Sequence, residues 1–241
     1  LLLASTVPNC VAYDPTFPYE MAVIIQDGLR RMYKEGENVF YYITMMNENY
    51  PQPALPEGAE EGIRKGMYLF QEGGKGKKKV QLLGAGTIFR EVIAAADLLK
   101  QDWKVDADLW SCPSFNELRR NGLDVDRWNM LHPEESPRTS WVAQQMANRK
   151  GPAVASTDYM KAIPDQIRGC MDRRFYVLGT DGFGRSDTRE QLRHHFEVDR
   201  YYVTVAALKA LADEGDMDAA TVNKAIKKYG IDPDKPNPRL A

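Results

Sequence analysis

Apolar residues in the first seventy positions follow helical spacing first and strand-like spacing afterwards. Residues 18–34 show helical spacing, and Gly36 ends the predicted helix. The apolar face of this helix comprises Met21, Ile25, Leu29 and Met32. Residues 38–44 form a nearly continuous β-branched and aromatic run, which predicts a strand buried on both faces, as in a parallel sheet. A further short helix is predicted over residues 59–70.

Beyond residue 79, predicted strands and helices alternate regularly. The predicted strands are 80–84, 105–112, 153–156 and 175–179. The predicted helices are 88–101, 114–121 (capped by Ser114 with Glu117 three positions on), 159–170, 201–214 and 218–229. Repeated β-α units indicate an α/β fold with a mostly parallel sheet covered by helices. The segment of glycines and lysines at 73–79 is the predicted domain boundary, which divides the chain into domains 1–72 and 73–241.

Composition and charge exclude several functional classes. The 241 residues are 43% hydrophobic and 27% charged, as in ordinary globular proteins, and the net charge of −2 gives no electrostatic footprint for nucleic acid or an anionic membrane. No apolar run approaches the roughly 20 residues that span a bilayer. The three cysteines are Cys10, Cys112 and Cys170, whose wide spacing predicts no disulfide framework and fits a reducing cytoplasm.

The segment from Gly179 to Asp199 is the most distinctive string in the chain. Its three closely spaced glycines predict a tight loop, after which Ser186 or Asp187 is expected to cap a helix. The predicted inward positions of that helix are Leu192, His195 or Phe196. A strand-to-helix connection is the favoured interpretation, with Arg185 and Asp187 fixing the corner. An anion or partner surface is the alternative.

Two further patterns favour a structural interpretation. Gly84 and Gly86 lie where a dinucleotide fingerprint would begin, but Phe89 occupies its sixth position, so a plain β-α turn is predicted. His194 and His195 are adjacent on a helix and point about 100° apart, so both cannot face one small site. His132 lies before Pro133 in a predicted loop, and a structural role is expected for it too.

Polar residues directly after the 38–44 strand are the best candidates for chemistry. The carboxyl ends of strands are where open α/β sheets bind ligands. Glu48 could act as an acid or base or hold a water there, with Asn47 and Asn49 fixing polar groups. A polar turn before a proline-rich crossover explains the same residues equally well. Tyr13-Asp-Pro15, after another short apolar segment, presents the same choice.

Several long strings together resemble the homodimeric bacterial pyruvate dehydrogenase E1 family. These strings begin at Val7 (VPNC, with YDP at Tyr13), Asn47 (NENY), Pro56 (PEGAEEGIRKG), Arg127 (RWNMLHP), Gly179 and Asn237 (NPRLA). The resemblance implies an α/β chain made of the end of a pyrimidine-binding (middle) domain, 1–72, and a transketolase-type C-terminal domain, 73–241. It also implies that Leu1 lies midway through a larger subunit and that the Gly179 string is scaffold.

The resemblance implies an enzyme that uses thiamine diphosphate and Mg²⁺. The full subunit would be a cytoplasmic homodimer within a multienzyme complex of pyruvate metabolism, downstream of glycolysis. It would decarboxylate pyruvate and reductively acetylate the lipoyl group of the E2 dihydrolipoyl acetyltransferase. No partnership with nucleic acid or membrane is implied. The segment alone is expected to be inactive, because the groups that hold the diphosphate and Mg²⁺ would lie upstream.

The resemblance carries two residues over to the rim of the active site, Tyr13 and Glu48. It gives no cofactor-binding or metal-ligating residue within this chain. Some family members have a histidine directly after the tyrosine of the NENY string, where this chain has Pro51 followed by Gln52. Two alternatives stay open: a non-catalytic dimerisation or scaffold module, and a sister transketolase-like enzyme acting on another 2-oxo acid or a sugar phosphate.

Overall fold

The structure, a computed structural model, describes residues 1–240 of the chain. The strands are β1 (Cys10–Tyr13), β2 (Phe40–Ile43), β3 (Tyr68–Gln71), β4 (Lys79–Gly84), β5 (Asp106–Ser111), β6 (Ala153–Ser156) and β7 (Phe175–Leu178). The helices are α1 (Pro18–Leu29, extended by a π-helical turn over Arg30–Lys34), α2 (Glu60–Lys65), α3 (Phe89–Trp103), α4 (Phe115–Leu131), α5 (Trp141–Met146), α6 (Ala162–Asp165), α7 (Arg189–His195), α8 (Arg200–Asp213) and α9 (Ala219–Lys228).

The chain divides into two compact units, each built from separate stretches of sequence. The first unit comprises Leu1–Phe70, Ser111–Arg149 and Ala162–Asp172. The second comprises Gln71–Trp110, Lys150–Lys161 and Arg173–Ala241. The chain therefore returns to the first unit after the predicted boundary at 72/73. That boundary, which concerns domains in the evolutionary sense, stays a prediction.

The first unit is organised around a pair of parallel strands. Strand β1 pairs with β2 in parallel, and Tyr13 lies opposite Ile43 at their carboxyl ends. Buried residues of α1 and of the segment leading into β3 pack with Val11 and Tyr13 of this pair. The buried core comprises Val11, Tyr13, Val23, Ile24, Ala59, Ile63 and Tyr68. Both rim candidates, Tyr13 and Glu48, belong to this unit.

The larger sheet has the strand order β3-β5-β4-β6-β7. Strand β6 pairs in parallel with both β4 and β7, which confirms the predicted α/β fold with a mostly parallel sheet. In the second unit, helices α3 and α8 pack against each other, and α8 also packs on β6 and β7. Strand β6 spans the same residues as predicted, 153–156, and β4 and β7 agree with prediction to within a residue at each end.

The apolar face of α1 that the spacing predicts is not the buried face of the helix. Ile25 and Leu29 are 47% and 53% exposed, and the buried residues of the helix are Glu20, Val23, Ile24, Asp27 and Gly28. Two of these buried residues, Glu20 and Asp27, are acidic. Because hydrophobic spacing treats acidic residues as exposed, it did not identify the buried face. Their burial is possible because each carboxylate has hydrogen-bond donors: Tyr68 and Ser111 for Glu20, Arg30 and Tyr41 for Asp27.

Other predicted boundaries also need correction. Strand β2 is packed on one face only, with Phe40 and Tyr42 each 46% exposed, whereas burial on both faces was predicted. The helix predicted over 59–70 ends at Gly66, whose left-handed backbone turns the chain into β3. Helix α4 starts at its predicted Ser114 cap but runs ten residues further than predicted, to Leu131. The helix predicted over 159–170 is reduced to α6 and one 3₁₀ turn over Arg168–Cys170.

Candidate active-site rim

Two segments leave the β1–β2 pair at the same edge, and together they form the candidate rim. We define the rim as residues 13–17, which begin with the last residue of β1, and residues 44–50, which follow β2. Parallel pairing with Tyr13 opposite Ile43 places the beginnings of the two segments side by side. The hydrogen bond from Thr44 N to Tyr13 O (3.0 Å) continues the strand ladder into the rim. The rim therefore occupies the carboxyl edge, the position at which α/β sheets bind ligands.

Side chains link the two rim segments at both ends. The hydroxyl of Thr44 donates to Asp14 Oδ1 at 2.6 Å. Farther along, the phenol of Tyr50 donates to the carbonyl oxygen of Thr16, and its ring meets the Phe17 ring edge-on at 6.5 Å. The proline-rich segment that follows residue 50 therefore starts from an anchored point. Hydrogen bonds therefore connect the two rim segments to each other, although neither segment is a helix or a strand beyond Tyr13.

Tyr13 is the first residue of the rim, and its side chain belongs to the core of the first unit. Its side chain is 2% exposed, and its ring stacks on Tyr41 with 6.0 Å between centroids. The phenol donates to the backbone carbonyl of Arg64 at 2.7 Å. Burial, reinforced by the nearby Glu117 carboxylate, raises the pKa of this phenol far above its ordinary value. Tyr13 is thus a neutral hydrogen-bond donor that fixes the end of β1 to α2.

Glu48 lies on the open part of the rim. It is partly exposed, and the flanking Asn47 and Asn49 are exposed. Tyr50, two residues later, holds this part of the chain against Thr16. Pro51 and Gln52, which stand where some relatives carry a histidine, are exposed. The structure therefore brings the predicted Glu48 and Tyr13 to the same sheet edge, with only Glu48 at the surface.

Glu20, which lies next to the rim in α1, is the residue that sequence reasoning missed. It is fully buried in the first turn of α1. Its Oε2 accepts from the backbone N–H of Thr16 (2.5 Å) and of Phe17 (3.1 Å), and its Oε1 accepts from Tyr68 (2.7 Å) and Ser111 (2.6 Å). Burial raises the pKa of the carboxyl, and these four donated hydrogen bonds oppose the rise. Pro18 at the first helical position with Glu20 two residues later is a helix-start signature that could have identified it.

The Gly179–Asp199 segment connects β7 to α7, as predicted. Thr180 N donates to Tyr159 O at 2.8 Å, and Gly182 adopts φ +111° where the chain passes against Pro238. The cap of α7 is Thr188, whose hydroxyl accepts from Gln191 N at 3.3 Å, and the predicted caps Ser186 and Asp187 are wrong. Asp187 does help to fix the corner, because its carboxylate accepts from Thr188 N at 2.7 Å.

His132 and His194 have structural partners, whereas the buried Nε2 of His195 has no hydrogen-bond partner among the described residues. His132 Nδ1 lies 2.8 Å from Trp128 O and the ring stacks on Trp128, so it ends α4 and does not lie in a free loop. His194 Nδ1 lies 2.9 Å from Asp199 Oδ2. Burial and the positive charge of Lys235 lower the pKa of His195. Gly84 ends β4 in close contact with Phe89, and Gly86 opens the 3₁₀ turn into α3, so this string forms the predicted β-α turn.

The described residues do not by themselves form a metal centre. A diphosphate-bound Mg²⁺ needs several oxygen ligands converging on one point. Residues 1–240 contain no group of three or more His, Cys, Asp or Glu side chains arranged to hold an ion. Across the same residues, no helix has the length and apolar character needed to cross a membrane.

Comparison with protein families gives two successive matches along the chain, separated by residues 54–65. Residues 66–199 match the transketolase-like TK C-terminal domain. Residues 1–53 match the pyruvate dehydrogenase E1 component middle domain. The rim segments 13–17 and 44–50 both fall within the middle-domain match, and the Gly179–Asp199 segment lies entirely within the C-terminal match.

Curated relatives agree with the family matches. The chain is 63% identical over 97% of its length to the pyruvate dehydrogenase E1 component of Cupriavidus necator, covering 26% of that protein. It is 59% identical over 98% of its length to the corresponding protein of Escherichia coli K12, covering 27% of it. The chain thus spans about a quarter of the length of the relatives that it matches.

Solved structures show the same fold at low sequence identity. A split-gene transketolase, described as an inactive β4 tetramer, aligns with 88% of this chain and 60% of its own, with a TM-score of 0.59 and 16% identity. Transketolase from Leishmania mexicana aligns with 91% of this chain and 28% of its own, with a TM-score of 0.59 and 15% identity. The chain therefore belongs to the transketolase-like C-terminal domain family through residues 66–199. Its residues 1–53 match the pyruvate dehydrogenase E1 middle domain.

Proposed function

We propose that this chain is part of a pyruvate dehydrogenase E1 subunit. The observation that carries the proposal is 63% identity to such a protein over 97% of the chain, with the middle-domain and C-terminal-domain matches in consecutive order. The full subunit would decarboxylate pyruvate with thiamine diphosphate and Mg²⁺ and reductively acetylate the lipoyl group of E2. It would act in the cytoplasm as a homodimer within the multienzyme complex. The domain boundary that we propose lies at 72/73.

In this proposal the rim forms one wall of the cavity in which the cofactor and substrate meet. Glu48 has the exposure needed to reach a reacting group and to hold or move a proton. Asn47 and Asn49 would bind polar groups beside it. Tyr13 would support the wall from beneath, because its phenol is already bonded to Arg64. The cofactor would supply the carbanion chemistry. Asn47 and Asn49 would orient the substrate, and Glu48 would hold or transfer a proton.

The segment alone is proposed to lack turnover. Catalysis by a cofactor depends on holding its reactive atom against the substrate, and residues 1–240 provide no cluster of metal ligands for a diphosphate. Titration of the 241-residue chain with thiamine diphosphate and Mg²⁺ by calorimetry tests this. We expect no measurable heat of binding and no release of CO₂ from pyruvate. Tight binding with turnover would contradict the proposal.

A stand-alone assembly module is the second candidate. It is favoured by one observation, the fold shared with a split-gene transketolase whose solved form is an inactive β4 tetramer. In that case this chain would be a separate gene product that associates without chemistry. The mass of the native protein distinguishes the two proposals. A cellular polypeptide about four times as long as this chain, as in the relatives, supports the E1 subunit, and a mass of 27.3 kDa supports the module.

A sister transketolase-like enzyme for another 2-oxo acid or a sugar phosphate is the remaining alternative. The solved relatives that share the fold include sugar-phosphate enzymes, but their identity to this chain is 16% or less among those compared. Assays of the full subunit with pyruvate, longer 2-oxo acids and ketose phosphates separate these reactions. We expect pyruvate to give the highest kcat/KM. Preference for a ketose phosphate would overturn the pyruvate assignment.

A further inference from the structure

We infer that Glu20 positions the rim by tying residues 13–17 to the start of α1, and through Tyr50 positions Glu48. The inference rests on the proposed function of the rim. Glu20 touches no open surface, since it is fully buried. It is therefore a positioning residue, and its effect on the reaction must pass through the residues that it contacts.

One carboxylate oxygen of Glu20 holds the turn from the rim into α1. The first N–H groups of a helix have no acceptor within the helix. Here Oε2 accepts from Thr16 N at 2.5 Å and from Phe17 N at 3.1 Å. The Phe17 side chain has no acceptor atom with which to cap the helix itself. The backbone of residues 16 and 17 is consequently fixed by Glu20.

The other oxygen holds the carboxylate in place. Tyr68 donates to Oε1 at 2.7 Å and Ser111 donates to it at 2.6 Å. Tyr68 has a single phenolic hydrogen, so Tyr19, whose hydroxyl lies 2.7 Å away, donates to Tyr68. The two carboxylate oxygens thus accept four hydrogen bonds. These four hydrogen bonds keep Oε2 of Glu20 directed towards the turn and Oε1 directed towards Tyr68 and Ser111.

The path continues from the turn to Glu48. The carbonyl oxygen of Thr16, whose N–H is bound by Glu20, accepts from the phenol of Tyr50. Phe17 adds an edge-on ring contact with Tyr50. Tyr50 lies two residues after Glu48 in a segment that is neither helix nor strand. Displacement of Thr16 would therefore move Tyr50 and with it Glu48, and a shift of about 1 Å at a reacting group can lower the rate about 100-fold.

Four single variants separate positioning from general stability. Glu20→Ala removes the acceptors of the turn. Glu20→Gln keeps one acceptor oxygen, which can accept from the N–H groups of Thr16 and Phe17. Its amide N–H groups can donate to the hydroxyl oxygens of Tyr68 and Ser111. Tyr68→Phe removes a donor on the far side of the carboxylate and leaves the turn intact. Tyr50→Phe removes the link between the turn and residues 44–50.

The experiment measures kcat and KM for pyruvate in the full subunit, loaded with thiamine diphosphate and Mg²⁺, together with hydrogen exchange of residues 44–50. We expect Glu20→Ala and Tyr50→Phe each to lower kcat about 10- to 100-fold with KM changed less than about threefold. Glu20→Gln should stay within about threefold of wild type, and Tyr68→Phe, which leaves the Ser111 bond to Oε1, should lower kcat less than Glu20→Ala does. The double variant E20A/Y50F should be no worse than the poorer single variant, because both act on one path. Exchange of residues 44–50 should accelerate in Glu20→Ala but not in Glu20→Gln.

Three results would overturn the inference. Unchanged kcat and unchanged exchange of residues 44–50 in Glu20→Ala would make Glu20 a purely structural residue. Equal damage by Glu20→Gln would mean that the charge matters and the hydrogen-bond geometry does not. Fully additive losses of kcat in E20A/Y50F would mean that Glu20 does not act through Tyr50. If Glu20→Ala does not fold, the kcat values of Tyr50→Phe and Glu20→Gln still test the inference. If the wild-type subunit does not turn over pyruvate, the proposed function has failed, and hydrogen exchange of residues 44–50 still tests the path from Glu20 to Glu48.

Discussion

The phenol of Tyr13 donates to the backbone carbonyl of Arg64 across 51 positions of sequence, at 2.7 Å. This bond joins the end of β1, where the rim begins, to helix α2. It also explains how a residue that the family resemblance associates with the rim can be 2% exposed. Tyr13 supports the rim from within the core, whereas Glu48 lies at the surface.

Removal of this hydroxyl should lower stability in a measurable way. Tyr13→Phe leaves the Arg64 carbonyl without its donor, and a buried hydrogen bond of this kind contributes about 1 kcal/mol. We expect the free energy of unfolding from urea denaturation to fall by about 1 kcal/mol. Tyr42→Phe, at a half-exposed residue of β2, is the matched control and should change it by less than about 0.5 kcal/mol. Equal effects would show that the Tyr13 bond is not stabilising.

The buried carboxyl of Glu20 predicts a particular pH dependence. Burial raises its pKa above the ordinary value of about 4.3, so its contribution to stability is present at low pH and is lost as the pH rises through the folded-state pKa. Gln cannot titrate. We therefore expect the stability of wild type relative to Glu20→Gln to decline as pH rises above about 4, measured by denaturation at a series of pH values. A relative stability that increases with pH would mean that the four donated hydrogen bonds outweigh burial.

Glu91 in the second unit predicts the opposite pH dependence. Burial would raise its pKa, but hydrogen bonds and charge from Arg200, with Nε 2.8 Å from Oε2, outweigh burial and lower it. This contribution is present above the ordinary pKa of about 4.3 and is lost as pH falls through the folded-state value. Glu91→Gln should destabilise by about 2 kcal/mol at pH 7.

The Glu91 effect should shrink when denaturation is repeated at pH values below about 4. Glu190→Gln, an exposed glutamate in α7, serves as the control and should be close to neutral at every pH. An effect of Glu91→Gln that does not change with pH would contradict the role of the ion pair with Arg200.

Gly66 should be among the least replaceable positions of the first unit. Its backbone is left-handed (φ +96°), and an added Cβ would lie 2.4 Å from the carbonyl oxygen of Ser114. Gly36 is also left-handed (φ +67°) but has no atom within 4 Å of such a Cβ. We expect Gly36→Ala to cost about 1 kcal/mol from backbone strain and Gly66→Ala to cost at least about 1 kcal/mol more, by urea denaturation. Equal costs would rule out the close approach to Ser114.

The sequence was most informative where the local structure depends on residues close by in the chain. Strand β6 and the Ser114 cap of α4 were predicted at the residues where they occur, because each depends on neighbours a few positions away. The inward face of α1 was not predictable in this way. Burying Glu20 depends on donors from Tyr68 and Ser111, 48 and 91 positions distant, and no local pattern contains them.

The rim was only partly predictable for the same reason. That Tyr13 and Glu48 follow strands could be inferred from the apolar runs before them, and parallel pairing placed both at one edge. The burial of Tyr13 depends on Arg64, and the anchoring of the Glu48 segment depends on the bond from Tyr50 to Thr16. Such links arise from tertiary structure and are invisible to spacing rules.

Turnover of pyruvate by the full subunit is the most direct test of the central claim, that the rim of this chain serves pyruvate decarboxylation. The measurement is CO₂ release from carboxyl-labelled pyruvate with thiamine diphosphate and Mg²⁺, comparing wild type with Glu48→Gln and with the control Glu57→Gln, an exposed acid outside the rim. We predict robust release by wild type and by Glu57→Gln, and a loss of about 100-fold for Glu48→Gln with cofactor affinity unchanged. Full activity of Glu48→Gln, or a wild-type subunit that uses only ketose phosphates, would contradict it.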